Sequence, residues 1–149
     1  MQQQQKWPAE GISRVPYFIY SDPAIYAREQ ERVFYGPTWS YVALEAEIPN
    51  PGDYKRTFIG DKSVLVIRDK DGSVNAVENR CAHRGVQLCQ THLGSKPEFM
   101  CPYHQWTYDL KGDLIGVPFR RGVNNQGGMP PDFKLEDHGL RKLAVARRN

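Results

Sequence analysis

The sequence is short of several things, and each shortage excludes something. No apolar run approaches the roughly eighteen residues that a membrane-spanning helix requires; the longest near the centre is Val64-Leu-Val-Ile67. No membrane association is therefore expected. The start, Met1-Gln-Gln-Gln-Gln-Lys6, has no apolar core of the kind a secretory leader carries and reads as a low-complexity, disordered tail. Cysteine is scarce, three in 149 residues, which is too few for a disulfide framework and fits a reducing, cytoplasmic location. There is no basic helix, arginine run or aromatic RNA-binding motif, so nucleic acid is not an expected partner. With 40% hydrophobic residues, the chain can build one modest core.

Two of the three cysteines sit in a pattern. Cys81-Ala-His83 is followed, after seventeen residues, by Cys101-Pro-Tyr-His104. Each short loop offers one thiolate and one imidazole. The layout suits a two-iron cluster in which Cys81 and Cys101 hold one iron and His83 and His104 hold the other. That is the Rieske ligand set of a [2Fe–2S] centre. Zinc also takes two cysteines and two histidines, but its usual spacing pairs cysteine with cysteine and histidine with histidine. Chance placement of buried cysteines and surface histidines is the remaining alternative. Cys89 has no partner outside the set and reads as a small buried residue.

The ligand set has an electrostatic consequence. Two ferric ions, two sulfides and two thiolates sum to zero when both histidines are neutral, whereas an all-thiolate cluster starts at −2. The neutral cluster accepts an electron more easily, at roughly −150 to +300 mV against about −400 mV for the all-cysteine plant type. The surrounding charge is uneven. Between Arg80 and Arg121 there are six Lys/Arg and three Asp/Glu, so this segment carries the whole net charge of +3. It would steer an acidic electron donor, or is simply solvated surface.

Along the chain, Asp22-Pro23 reads as the start of a helix of about three turns, Pro23 to Tyr35, with Asp22 as N-cap and Gly36-Pro37 as its end. Ile25, Tyr26, Val33 and Phe34 share one face. Short strands follow: Ser40 to Glu47, Tyr54 to Ile59, Val64 to Arg68, Val74 to Glu78, Phe99-Met100, Trp106 to Asp109, Asp113 to Val117 and Leu140 to Ala146. Asn50 to Asp53, Gly60-Asp61, Asp71-Gly72 and Lys111-Gly112 are the turns, Asp71-Gly72 being a two-residue hairpin signal. Phe119 to Pro131 reads as a long mobile excursion. Gly85 and Gly94 either let backbone approach the cluster closely or are ordinary loop glycines. The expected fold is all-β with a minor N-terminal helix: an antiparallel sandwich or barrel with the cluster at a tip of two hairpin loops. Residues 1–38 form the tail and helix, and 39–149 the cluster domain, with the cluster-binding part at about 79–118.

Cys81-Ala-His83-Arg84-Gly85 and Cys101-Pro-Tyr-His104-Gln105-Trp106 resemble the Rieske motif of aromatic-ring-hydroxylating oxygenase large (α) subunits. Glu45-Ala-Glu-Ile-Pro-Asn-Pro-Gly-Asp53 and the stretch from Leu110 to Gly122 are similar to the salicylate-hydroxylase and anthranilate-dioxygenase branch. The resemblance implies a Rieske fold and electrons from NADH through a reductase and a ferredoxin. They would pass singly to a mononuclear Fe(II) that activates O₂ against an aromatic acid. It implies a trimer, with or without a small β subunit, and an electron exit through His104 to a carboxylate on the neighbouring subunit. Respiratory Rieske proteins carry a loop disulfide and a serine donor to cluster sulfur. Val86 and Tyr103 stand at the disulfide positions and Trp106 at the serine, while Tyr108 keeps a second donor. The resemblance thus implies a low-potential cluster. His92 and His138 are isolated, so the 2-His-1-carboxylate iron site is expected in a C-terminal catalytic domain absent from this chain. The alternative is a stand-alone Rieske ferredoxin.

Overall fold

A computed structural model describes residues 7, 9, 11 and 13–148, in two compact units that meet in sequence at Ser40 and Tyr41. The expected tail at Gln2 to Gln5 lies outside the described residues. In the first unit a 3₁₀ turn, Tyr17–Tyr20, precedes helix α1, Pro23–Glu29. The Asp22 carboxylate accepts hydrogen bonds from the backbone N–H of Ala24 at 2.7 Å and Ile25 at 3.3 Å. It thereby caps two of the orphan donors of the first turn. The helix then widens into a π-helical turn, Gln30–Phe34. Its apolar face is not buried: Tyr26, Val33 and Phe34 are 41–50% exposed.

The second unit is built of short antiparallel strands: β1 (Asp53–Ile59), β2 (Lys62–Arg68), β3 (Val74–Glu78), β4 (Leu93–Ser95), β5 (Phe99–Met100), β6 (Thr107–Tyr108), β7 (Leu114–Gly116) and β8 (Lys142–Leu143). Five form one sheet in the order β4-β1-β2-β3-β8, and three form another in the order β5-β6-β7. Side chains alternate faces along a strand. Leu65 and Ile67 of β2 therefore join a core with Tyr54, Val77, Phe99, Trp106, Tyr108 and Leu114, drawn from both sheets. Val64 and Val66 are buried on the opposite face. Cys81 and Cys101 belong to the shared core, so the candidate ligands are rooted where the two sheets meet.

Several details differ from the sequence expectation. Ser40 to Glu47 is not a strand; it runs irregularly into a 3₁₀ turn, Glu45–Glu47. Its carboxylates are drawn into ion pairs instead of a ladder face, Glu47 with Lys55 at 2.8 Å and Glu45 with Arg68 at 3.1 Å and Arg147 at 2.5 Å. The Asp71-Gly72 turn is longer than two residues. Asp69 N–H bonds to Ser73 C=O at 2.8 Å, and Gly72 takes a left-handed φ of 82°. The same closure recurs at Asp109 to Asp113, with Gly112 at φ 82°. Strand β4 has no alternation to announce it. Gly94 lies inside it, paired with Tyr54, because a Cβ there would sit 2.7–2.9 Å from the Tyr54 ring and hydroxyl. The last expected strand shrinks to Lys142–Leu143, paired with Ala76 and Val77. Phe119 to Pro131 has no regular strand, but its turns close on themselves: Val123 and Gln126 exchange two hydrogen bonds at 3.0 Å and Met129 N–H reaches Arg120 C=O at 2.9 Å. Among the described residues no helix is long and apolar enough to cross a membrane.

Candidate metal centre

The four candidate ligands stand on two turns with one backbone plan. In the first, Cys81 N–H bonds to Val86 C=O at 2.8 Å and Gly85 N–H to Cys81 C=O at 2.8 Å. In the second, Cys101 N–H bonds to Trp106 C=O at 2.8 Å and Gln105 N–H to Cys101 C=O at 3.0 Å. Each turn therefore closes from the cysteine to the fourth and fifth residues beyond it. The fourth residue has a left-handed φ in both, 71° at Gly85 and 57° at Gln105. Glycine adopts that region freely, whereas a side chain there is uncommon. The first turn leaves β3 and leads on to β4; the second joins the neighbouring strands β5 and β6.

The turns bring their side chains together. The Cys81 and Cys101 thiols lie within interaction reach of each other, both sulfurs in the core. The His83 and His104 ring centroids are 4.7 Å apart at an interplanar angle of 70°. Among the described residues no three His, Cys, Asp or Glu side chains surround a single ion position. The four side chains thus form two pairs, one of sulfur and one of nitrogen.

Three observations fit the group that this donor set suggests. The Nδ1 atom of His104 is buried and has no hydrogen-bond partner. Such an orphan is costly unless something binds its lone pair. Burial raises the Cys81 thiol's pKa, against the lowering effect of the Tyr108 hydrogen bond. A thiolate there is best stabilised by a cation that takes the proton's place. Desolvation, then the neighbouring His104 and Arg84, lower the pKa of the His83 imidazole, which favours its neutral, metal-binding form.

Tyr108 connects the two turns. Its hydroxyl oxygen accepts from Ala82 N–H at 3.0 Å and lies 3.1 Å from Cys81 Sγ. With its acceptor side engaged, the O–H is free to donate to the sulfur, as the sequence suggested. Burial, then the Cys81 contact, raise the pKa of the phenol, so it keeps that proton. Trp106, at the position of the respiratory serine, stacks on His83, with centroids 4.8 Å apart and planes 11° from parallel. Tyr103, 58% exposed, leans on His104 with centroids 4.0 Å apart, and the Arg84 guanidinium lies 5.7 Å from the Tyr103 ring centre.

One contributor escaped the sequence reading. Asn79, fully buried at the end of β3, accepts from Leu88 N–H at 3.0 Å and Cys89 N–H at 2.9 Å. It donates to Cys89 C=O at 2.7 Å and Ser63 Oγ at 3.2 Å. Its amide thus satisfies the backbone on the far side of the first turn, using both of its donors. The available signal was an asparagine two residues before the motif, a residue type that bonds local backbone. Cys89 is buried as expected, and burial raises its thiol's pKa. Of the isolated histidines, His92 offers its backbone carbonyl to Arg56 N–H at 2.7 Å, while His138 joins an aromatic group behind Trp106.

The profile of the family described as "Rieske [2Fe-2S] domain" matches residues 38–126. The chain is 61% identical to the salicylate 5-hydroxylase large oxygenase component of Ralstonia sp. over 98% of its own length and 36% of that protein. It is 56% identical to the anthranilate 1,2-dioxygenase large subunit of Burkholderia cepacia over 93% of its length and 33% of that protein. Among solved structures, naphthalene 1,2-dioxygenase with indole bound superimposes with a TM-score of 0.79 at 30% identity, covering 89% of this chain and 28% of that one. The chain spans about a third of the length of the curated relatives it matches.

Proposed function

The chain belongs to the Rieske [2Fe-2S] family, and on that footing we propose that it carries single electrons within an aromatic-ring-hydroxylating oxygenase large subunit. Its cofactor is the Rieske [2Fe–2S] cluster, which when bound takes up and releases one electron. Cys81 and Cys101 hold one iron, and His83 and His104 the other, His104 through Nδ1. The observation that carries this reading is the meeting of two equivalent turns, which puts two thiols side by side and two imidazoles 4.7 Å apart.

The chain's own residues then have distinct tasks. Tyr108 donates a hydrogen bond to Cys81 sulfur and so moderates the negative charge that reduction adds. One such donor, with Trp106 turned to His83 instead of sulfur, supports a low-potential cluster. The excess positive charge between Arg80 and Arg121 favours an acidic ferredoxin, itself reduced by an NADH-dependent reductase. His104, flanked by exposed Tyr103, is the exit toward a mononuclear Fe(II) site in a catalytic domain outside this chain. There O₂ would be activated against an aromatic acid, in a trimer with or without a small β subunit. With Cys81 and Cys101 engaged by the cluster and Cys89 the one remaining cysteine, the chain offers no pair for a structural disulfide, which suits a reducing, cytoplasmic setting. We place the tail and helix at residues 1–38 and the cluster domain at 39–149.

Electron paramagnetic resonance of the reduced protein tests the ligand reading. The unsubstituted chain gives a Rieske signal, and His83→Ala and His104→Ala each lose it. A signal unchanged in either variant overturns the assignment. Joining the chain to the ferredoxin and reductase of a salicylate- or anthranilate-oxidising system tests the wider role: the reductase should reduce the cluster only when ferredoxin is present.

A further inference from the structure

We propose that Trp106 is a positioning residue that fixes the plane of the His83 imidazole, and that Phe133 and His138 fix Trp106 in turn. This rests on His83 being a cluster ligand. His83 is exposed, and an imidazole turns easily about its last side-chain bond, whose torsional wells are broad. Something must hold the ring if its lone pair is to stay aimed at the cluster. The indole of Trp106 lies nearly parallel to it, 11° off and 4.8 Å away, and a flat surface of that size removes the rotation.

Trp106 can do this because it is itself held. It is buried, 5% exposed, and two further rings meet it edge-on. Phe133 lies at 5.8 Å and 76°, and His138 at 5.7 Å and 79°. These two stack on each other at 4.5 Å and 11°. Edge-to-face contacts of this kind are favoured by the ring quadrupoles, and two of them against one indole leave it little freedom. Phe133 is anchored by Arg120, whose guanidinium lies 6.0 Å from the ring centre and reaches the Phe133 carbonyl at 3.4 Å. The segment from Arg120 to His138 thus reaches the candidate cluster site through one indole. His104 has a different environment, with a tilted, exposed tyrosine as its neighbour.

The orientation of a ligand ring governs its overlap with the iron, so the account predicts a spectroscopic effect beyond any loss of stability. Trp106→Leu in the cluster-loaded protein should shift and broaden the g-values of the reduced state and move the midpoint potential. Trp106→Phe, which keeps a flat ring, should lie close to the unsubstituted protein. Phe133→Leu and His138→Leu, which leave the indole in place, should give smaller shifts in the same direction. A Trp106→Leu protein with native g-values and potential overturns the proposal. Should that variant fail to assemble a cluster, native spectra in both Phe133→Leu and His138→Leu overturn it. His83→Ala separates the two levels: if it keeps the Rieske signal, the ligand reading itself is wrong; if it loses the signal while Trp106→Leu is unchanged, only the positioning role fails.

Discussion

The two cysteine turns share a backbone and differ in where the histidine falls. Both close from the cysteine to the fourth and fifth residues, with a left-handed residue fourth. Yet His83 is second after its cysteine and His104 third. The turns grow from different sheets, and the proposed ligand set takes one imidazole from each. The unequal spacing, Cys-x-His against Cys-x-x-His, is what lets two like turns make a matched pair of nitrogens. The turns also differ in support. The first is tied behind by Asn79 and has glycine at its left-handed position. The second is a hairpin between β5 and β6, has Gln105 there, and supplies both rings, Trp106 and Tyr103, that flank the histidines.

The strongest way to break this comparison is to equalise the spacing. Exchanging Tyr103 and His104 gives the second turn the spacing of the first while keeping composition. It should abolish the cluster's visible absorption with the fold intact by circular dichroism. Retained absorption would mean that turn geometry does not select the ligand. Next, Asn79→Ala leaves the Leu88 and Cys89 backbone groups without partners. At about 0.5–1.5 kcal/mol for each net hydrogen bond, it should destabilise the domain by roughly 2–4 kcal/mol in urea unfolding. A loss within about 0.5 kcal/mol would show that the hairpin-free first turn needs no such tie.

A smaller effect separates the left-handed residues. Gly85→Ala should cost about 1–2 kcal/mol through backbone strain, since the nearest atom an added Cβ meets is the movable Arg80 guanidinium tip. Gln105→Gly relieves the same strain at a greater loss of chain entropy and should change stability by less than about 1 kcal/mol. Equal losses in the two variants would contradict the shared turn. The smallest effect lies away from both turns. Hydrogen bonds from Arg147, then Arg68, lower the pKa of the Glu45 carboxyl from 4.5. A lowered folded-state pKa stabilises the fold above the unfolded value and ceases to do so as pH falls through the folded one. The melting-temperature gap between the native protein and Glu45→Gln should therefore be widest well above pH 4.5 and close below it. The cluster's spectrum should be indifferent throughout.

Much of this was legible in the sequence because the relevant signals are local. The Cys81/His83 and Cys101/His104 motifs, the Asp22 cap and the strands of β1 to β3 rest on neighbours in the chain. What was missed depends on distant partners. Ser40 to Glu47 carries a strand-like pattern, but Lys55, Arg68 and Arg147 claim its carboxylates. β4 is too short and too exposed to alternate, and is held by its pairing with β1. His138 looks isolated until the fold carries it, with Phe133, to Trp106. Nothing in the spacing of the motifs reveals that the two turns are alike, because their shared feature is a backbone angle at two unlike residues, Gly85 and Gln105.

The central claim is that two histidine nitrogens, one from each turn, bind the same iron. Electron–nuclear double resonance on the reduced protein, with histidine labelled at Nδ1 alone, measures this most directly. The account predicts strong coupling to two inequivalent Nδ1 nuclei. Coupling to one nitrogen only, or to none, would contradict it.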